Sequence, residues 1–226
     1  FLLPFGCQRL GKKLCDKEGI PTTAAFHLQP ENITSTLHMN KIQSLNNVIY
    51  RKFRKFYNKF THVHCPSNMI ADQLKQHGYT ANLHVISNGV SSFFQKKEVA
   101  KPQALQDKYI ILMIGRYSVE KRQDLIIEAI ANSKYESKIQ IILAGQGPWK
   151  GHLEALGAKL TNPPIFGFYN ADELLEVINY SDLYVHASDA EIEAISCMEA
   201  FTCGLVPIIS DSKISATNQF ALDEHN

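Results

Sequence analysis

No apolar stretch of the 226-residue sequence approaches the roughly 20 residues that a helical membrane span requires. No secretory leader pattern opens it either: Phe1-Leu2-Leu3 is apolar, but Pro4 and Gly6 follow at once and no basic region precedes them. An excess of charge of either sign is missing. With 23 basic and 22 acidic side chains the formal net charge is +1, whereas nucleic-acid binders usually carry a strongly basic chain or face, so nucleic acid is not expected as a partner. Cysteine is sparse and odd in number (Cys7, Cys15, Cys65, Cys197, Cys203). A chain of this length buries enough core to fold without staples, so reduced thiols and a cytoplasmic setting are expected. No Asp-x-Asp carboxylate pair is present to suggest a metal-bridged diphosphate, and no internal repeat or low-complexity segment is evident. The sequence also lacks an initiator methionine, opening on Phe1 and stopping in Asp223-Glu224-His225-Asn226, so a piece of a longer protein is expected.

What remains is ordinary soluble composition, 45% apolar and 20% charged, arranged as strands alternating with helices, which predicts parallel sheets covered on both faces. Strands are predicted over 22–27, 61–65 and 83–86, with Ser67 capping a helix that runs to His77 and stops at Gly78. Residues 95–107 are polar and aperiodic, like a linker. Beyond it Tyr109-Ile110-Ile111-Leu112-Met113-Ile114 reads as a fully buried parallel strand. Helices over 121–132, 149–158, 171–180 and 195–203 then alternate with strands over 139–144, 165–166, 183–186 and 206–209. Two α/β halves joined near residue 100 are expected, residues 1–100 and 101–226.

Gly115-Arg116 directly follows the buried strand and Glu120-Lys121 opens a helix. Two cations five residues apart suit an anion over the strand's carboxyl edge, where ligands bind in open α/β sheets; Arg supplies a planar fork and Lys a point charge. The alternative is an Arg and a Lys salt-bridged on a solvated helix start. Ala144-Gly145-Gln146-Gly147-Pro148 follows another buried strand but lacks the third glycine of a dinucleotide fingerprint, so a tight turn explains it equally. In Glu191-Ile192-Glu193-Ala194-Ile195-Ser196-Cys197-Met198-Glu199 the first glutamate is expected in a loop and the last about a turn into a helix. Eight residues at helical rise span about 12 Å, enough to bracket a sugar and a ribose, with helix N–H groups facing phosphates between them. An acidic helix start favoured by the macrodipole is the competing explanation.

His27 ends the first strand, where a histidine either orients a substrate hydroxyl or simply packs. His62, His64 and Cys65 suggest metal ligands at first sight, but His62 and His64 share one strand face and Val63 and Cys65 the other, which favours packing. Residues 50–60 place Tyr50, Phe53, Phe56, Tyr57 and Phe60 on one helical face, with Arg51, Lys52, Arg54, Lys55 and Lys59 around the rest. Such a helix either lies on anionic lipid or packs on a core with a solvated basic side.

Together these motifs resemble the retaining glycosyltransferases of the GT-B fold. The matching residues are Asn88-Gly89-Val90, Gly115-Arg116 with Glu120-Lys121, Gly145-Gln146-Gly147-Pro148, Phe166-Gly167-Phe168, Asp182, and Glu191 with Glu199-Ala200, and their order spans nearly the whole chain. Leu183–His186, the Glu-x-Glu-Ala form at 191–194, Ser215-Ala216-Thr217 and Phe220-Ala221-Leu222-Asp223-Glu224 are most similar to bacterial cholesterol α-glucosyltransferases and related lipid glucosyltransferases. The resemblance implies an α/β fold of two Rossmann-like parallel-sheet domains, the amino-terminal one incomplete. It implies a retaining, metal-independent hexosyltransferase without a cofactor, in which UDP-glucose is the donor and a sterol or diacylglycerol the acceptor. A capsular or cell-wall glycan acceptor, a non-catalytic sugar-nucleotide binder and a sugar-nucleotide epimerase are the rival readings. A cytoplasmic enzyme, peripheral on the inner face of the plasma membrane through Arg51, Lys52, Arg54 and Lys55, is expected. By the same resemblance Arg116 and Lys121 hold the diphosphate, Glu199 the ribose and Glu191 the transferred sugar. Gly115, Gly147, Phe168 and Ile195 complete the donor site, with Phe168 near the base, and His27 stands beside the reacting sugar. The common family form has glycines and a Phe between the two glutamates; Ile192, Glu193 and Ala194 stand there, and Glu193 is expected to add charge.

Overall fold

The computed structural model describes residues 1–35 and 42–221. Of the sequence features above, Leu222-Asp223-Glu224 lie outside the described residues. The chain forms two compact units: Phe1–Asn88 with Ala190–Glu193 and Lys213–Ala216, and Gly89–Asp189 with Ala194–Ser212 and Thr217–Asn226.

The first unit is a parallel three-stranded sheet, β1 (Ala24–Ala25), β2 (His62–Cys65) and β3 (Asn82–Val85), in that order. Its helices are α1 (Gly6–Lys17), α2 (Pro30–Ser35), α3 (Gln43–Tyr57) and α4 (Asn68–Gln76). α3 forms because its aromatics recur at helical spacing, and Tyr50, Phe53, Phe56 and Tyr57 are all buried against Phe26, Val63 and Tyr79. Each such side chain stabilises the fold by about 1.5–3 kcal/mol. Phe60 reaches the same core from beyond the helix end. Of the two readings of the 50–60 segment, this bears out the core-packed helix with a solvated basic side and removes the aromatic face as a lipid contact. Its aromatic face is the unit's core, and only the basic face is left to solvent. Arg51, Lys52 and Lys55 are exposed, whereas Arg54 is half-buried and donates from Nη1 to the His77 carbonyl at 2.9 Å. α4 begins where expected, the Ser67 hydroxyl accepting from Ile70 N–H, and ends at Gly78, whose φ of 73° is left-handed.

The second unit begins its sheet with β4 (Tyr109–Ile114), followed by α5 (Gln123–Ala131), β5 (Ile139–Ala144), α6 (Lys150–Gly157), β6 (Ile165–Gly167), α7 (Ala171–Tyr180) and β7 (Leu183–His186). A short β8 (Ala190–Glu191) belongs to the first unit; α8 (Ile195–Thr202) and β9 (Pro207–Ile209) return to the second, and β10 (Ile214–Ser215) pairs with β8 in parallel. The main sheet is wholly parallel, ordered β6-β5-β4-β7-β9. Ile110 and Leu112 of β4 pack with α7 and α8 on one face, and Met113 packs with α5 and α6 on the other. This two-sided burial is why β4 is an unbroken apolar run. The chain builds outward from β4 to β6, then returns to lay β7 against β4, so the order reverses between β4 and β7. The crevice beyond the carboxyl ends of these two strands is where such sheets bind ligands. The 95–107 segment is held in place rather than loose: Asn179 of α7 accepts from Lys97 N–H at 2.7 Å and donates to the Gln95 carbonyl. Asp182 accepts from Ile110 N–H at 2.8 Å and pairs with Lys101 at 2.5 Å, fixing the starts of β4 and β7.

Candidate active site

The loops after β4, β5 and β6 enclose a cavity of about 680 Å³, within the range of small-ligand sites. Gly115, Gly145 and Gly147 form its floor and Arg116, Phe168 and Tyr169 its sides. The glycines are there because backbones meet. A Cβ on Gly145 would lie 2.1 Å from the Gly115 carbonyl oxygen, and one on Gly147 would lie 2.3 Å from that of Tyr117. Tyr117 N–H donates to the Gln146 carbonyl at 3.1 Å and Trp149 N–H to the Tyr117 carbonyl at 3.1 Å, so the two loops are stitched together. Gly145-Gln146-Gly147 is thus more than a turn: it allows one loop to lie on another.

Tyr117 anchors this arrangement from below. Its ring is buried, and its hydroxyl donates to the Leu143 carbonyl at 2.6 Å; burial pushes its ionisation up to about 12, so it stays a donor. Nothing in the sequence patterning singled it out, because a buried tyrosine after a strand looks like any core aromatic.

Arg116 is exposed beside the cavity and, among the described residues, makes no ion pair with a carboxylate. Its carbonyl is held by Gln123 Nε2 at 2.8 Å. Lys121 ends a short 3-10 turn, Val119–Lys121, and its stem passes Gly115, with Cδ 3.6 Å from where a Cβ would stand. The two cations predicted as a clamp therefore flank one glycine at the end of β4. Glu120 is buried, accepting from the Ser118 hydroxyl at 2.6 Å, and its carbonyl accepts from Asp189 N–H at 2.8 Å, which joins the β4 loop to the β7 loop. Arg122, in the left-handed region at φ 54°, ion-pairs with Asp124 and Asp189 and delays α5 until Gln123, two residues later than the sequence suggests.

Glu191 to Glu199 is not one loop and helix. Glu191 lies on β8, in register with Ser215, rather than in a loop, because β10 supplies it a partner strand. Glu199 lies in α8 of the second unit, half-buried, and burial raises its carboxyl above the usual range. α8 opens on Ala194, at φ 64°, which has no side chain to cap the first-turn N–H groups; an uncapped helix start is suited to an anion. Ile195 and Phe168 are exposed, Phe168 by 73%. Glu193 departs from expectation. It is buried and turned to Asn88, accepting that residue's backbone N–H at 3.0 and 3.1 Å and its side-chain amide as well, so its charge is taken up by the turn at Asn88.

In the first unit His27 follows β1, half-buried, with Nε2 3.1 Å from His64 Nδ1. Burial first, then the neighbouring His64, lowers its basicity, with Glu193 opposing. On β2, Val63 and Cys65 are buried while His62 is exposed and lies 2.9 Å from His84, the face assignment that packing predicts. Ile192 packs on this unit's core, its carbonyl accepting from Ser67 at 2.7 Å.

Comparison with known proteins gives two family matches: glycosyl transferases group 1 over residues 94–220, and glycosyltransferase family 4 over residues 1–92. Alpha-monoglucosyldiacylglycerol synthase of Streptococcus pneumoniae is 24% identical over 91% of this chain and 49% of its own length. The structure of Anabaena HepE in complex with UDP-glucose has a TM-score of 0.77 at 17% identity, covering 95% of this chain and 59% of that one. The catalytic domain of cholesterol-alpha-glucosyltransferase from Helicobacter pylori is 46% identical over 51% of this chain and 73% of that one, with a TM-score of 0.47. The chain spans about half the length of the curated relatives it matches.

Proposed function

The chain belongs to the group 1 glycosyltransferases of the GT-B fold, and from that premise we propose that the protein moves glucose from UDP-glucose, with retention, to a membrane lipid such as a sterol or a diacylglycerol. The observation that carries the reading is the cavity at the ends of β4–β6, with Arg116 at its side and Lys121 crossing Gly115. A diphosphate there meets a planar fork and a point charge, and both cations gain most as the leaving UDP accumulates charge. No metal or cofactor is needed on this reading. The N–H groups at the start of α8 add to the diphosphate contacts, Glu199 accepts from the ribose hydroxyls and Glu191 from the transferred sugar. Exposed Phe168, with Ile195, supplies apolar surface for the base. His27 accepts from a hydroxyl of the reacting partners. The leaving phosphate assists the incoming hydroxyl through an oxocarbenium-like state, so no protein nucleophile is required.

The lipid acceptor rests on the residue pattern at 183–194 and 215–221, and on a relative named for making a glucosylated diacylglycerol. The donor reading is supported by HepE, a protein of this fold crystallised with UDP-glucose. The exposed Arg51, Lys52 and Lys55 would hold the protein at the inner face of the plasma membrane. Among the described residues no helix is long and apolar enough to cross one.

The test is a donor and acceptor screen on the intact protein, read by UDP release, product mass and anomeric configuration, with and without a chelator. Expected is an α-glucosylated lipid made from UDP-glucose and indifferent to the chelator. Transfer to a capsular or cell-wall glycan instead would overturn the acceptor. UDP-glucose bound without UDP release under any condition would make the protein a binder, and donor conversion without acceptor an epimerase.

A further inference from the structure

His27 and His64 form a directional chain whose polarity is set by a main-chain carbonyl. His64 Nε2 lies 2.6 Å from the Ile86 carbonyl oxygen, and a carbonyl only accepts, so Nε2 of His64 carries hydrogen. In neutral His64 the other ring nitrogen, Nδ1, is then bare and must accept. The atom facing it, at 3.1 Å, is Nε2 of His27, which must donate. Neutral His27 is left with its lone pair on Nδ1. We infer that His64 is a positioning residue that holds His27 in the Nε2–H tautomer, so that Nδ1 is the atom presented to a substrate hydroxyl.

The strand register makes the pairing possible. His64 lies opposite Ala25 on the neighbouring strand, and Phe26 N–H donates to the His64 carbonyl at 2.9 Å, which brings the residue after Phe26 over the His64 ring. The imidazole centroids are 5.2 Å apart and the rings are tilted by 50°; the separation fits a contact made edge to edge through ring nitrogens rather than by stacking. The charged and titratable groups bearing on His27 are His64 and Glu193; the buried carboxylate of Glu193 is already engaged by Asn88. The depressed basicity of His27 keeps it neutral near pH 7, the state in which an acceptor nitrogen exists. The inference rests on the reading that His27 belongs to the reaction machinery.

The tautomer is read directly from the ring nitrogen shifts of His27 in the intact, ¹⁵N-histidine-labelled protein. The expected pattern is protonated Nε2 and bare Nδ1; a wild-type protein with Nδ1 protonated instead overturns the inference without any variant. His64→Leu removes the acceptor and is expected to mix the tautomers. It should lower kcat about tenfold, what one hydrogen bond to a reacting hydroxyl is worth, with the KM for UDP-glucose little changed. His64→Gln can still accept from His27 and donate to Ile86, and is expected to restore both the single tautomer and most of kcat. A Leu variant with the wild-type tautomer, or a Gln variant as impaired as Leu, would overturn the positioning role. A separate His27→Ala protein that transfers at the wild-type rate would remove His27 from the reaction, while the nitrogen shifts would still report the tautomer.

Discussion

At the scale of single residues, Glu199 carries a conflict between the fold and its proposed role. Its carboxyl is harder to ionise in the folded chain than in the unfolded one, because it is half-buried. A raised folded value means that the unfolded state loses the proton first. The ligand-free fold is thus free of the penalty below the ordinary glutamate range, about 4.3, and bears it in full once the pH passes the raised value. Glu199→Gln should therefore raise Tm at pH 7, with the gain shrinking as the pH falls through that window, while UDP binding weakens. Thermal unfolding from pH 4 to 8 together with calorimetric UDP titration checks both halves; a variant no more stable than wild type at pH 7 would count against it. The places of Arg116, Lys121 and Glu199, after a strand, at a first turn and inside a helix, were legible because strand-end glycines and helix starts follow local rules; what they bind belongs to the proposal. Tyr117 and the Glu193–Asn88 contact were not: one looks like core, and the other joins residues 105 apart in sequence.

At the scale of elements, the apolar runs of β4, β5 and β7 and the helical spacing of α7 matched the structure to the residue, since each is specified by its own pattern. β8 and β10 escaped, because a two-residue strand exists only through its partner 24 residues away. α3 was recognised by spacing, but its role needed the structure. With the aromatic face buried, the proposed attraction to anionic lipid rests on Arg51, Lys52 and Lys55, and Arg54 is a strut whose replacement would release the His77 carbonyl. At about 1 kcal/mol per basic residue near an anionic surface, replacing those three with Gln should weaken binding to phosphatidylserine vesicles by about two orders of magnitude. Co-sedimentation at fixed ionic strength reads this, and unchanged pelleting would remove α3 as the contact.

At the scale of the molecule, the chain is not two beads in series. It leaves the first unit at Asn88 and revisits it at 190–193 and 213–216 before finishing in the second. The revisiting segments are held by first-unit groups: Ser67 on the Ile192 carbonyl, Gln29 on the Ile214 carbonyl at 3.2 Å, and Asn88 on Glu193. A fragment starting at Gly89 should consequently exchange its amide hydrogens over 190–193 and 213–216 at least about tenfold faster than the full chain, while β4 and β5 keep their protection. Equal protection in both would show that these segments fold without the first unit. For anyone seeking an inhibitor, the floor of the cavity has a different significance. Its surface is main chain at Gly115, Gly145 and Gly147, where two of the three positions leave no space for even a methyl group. A compound gripping that floor would face few escape mutations, since a substitution that reshaped its binding surface would first have to pry the two loops apart.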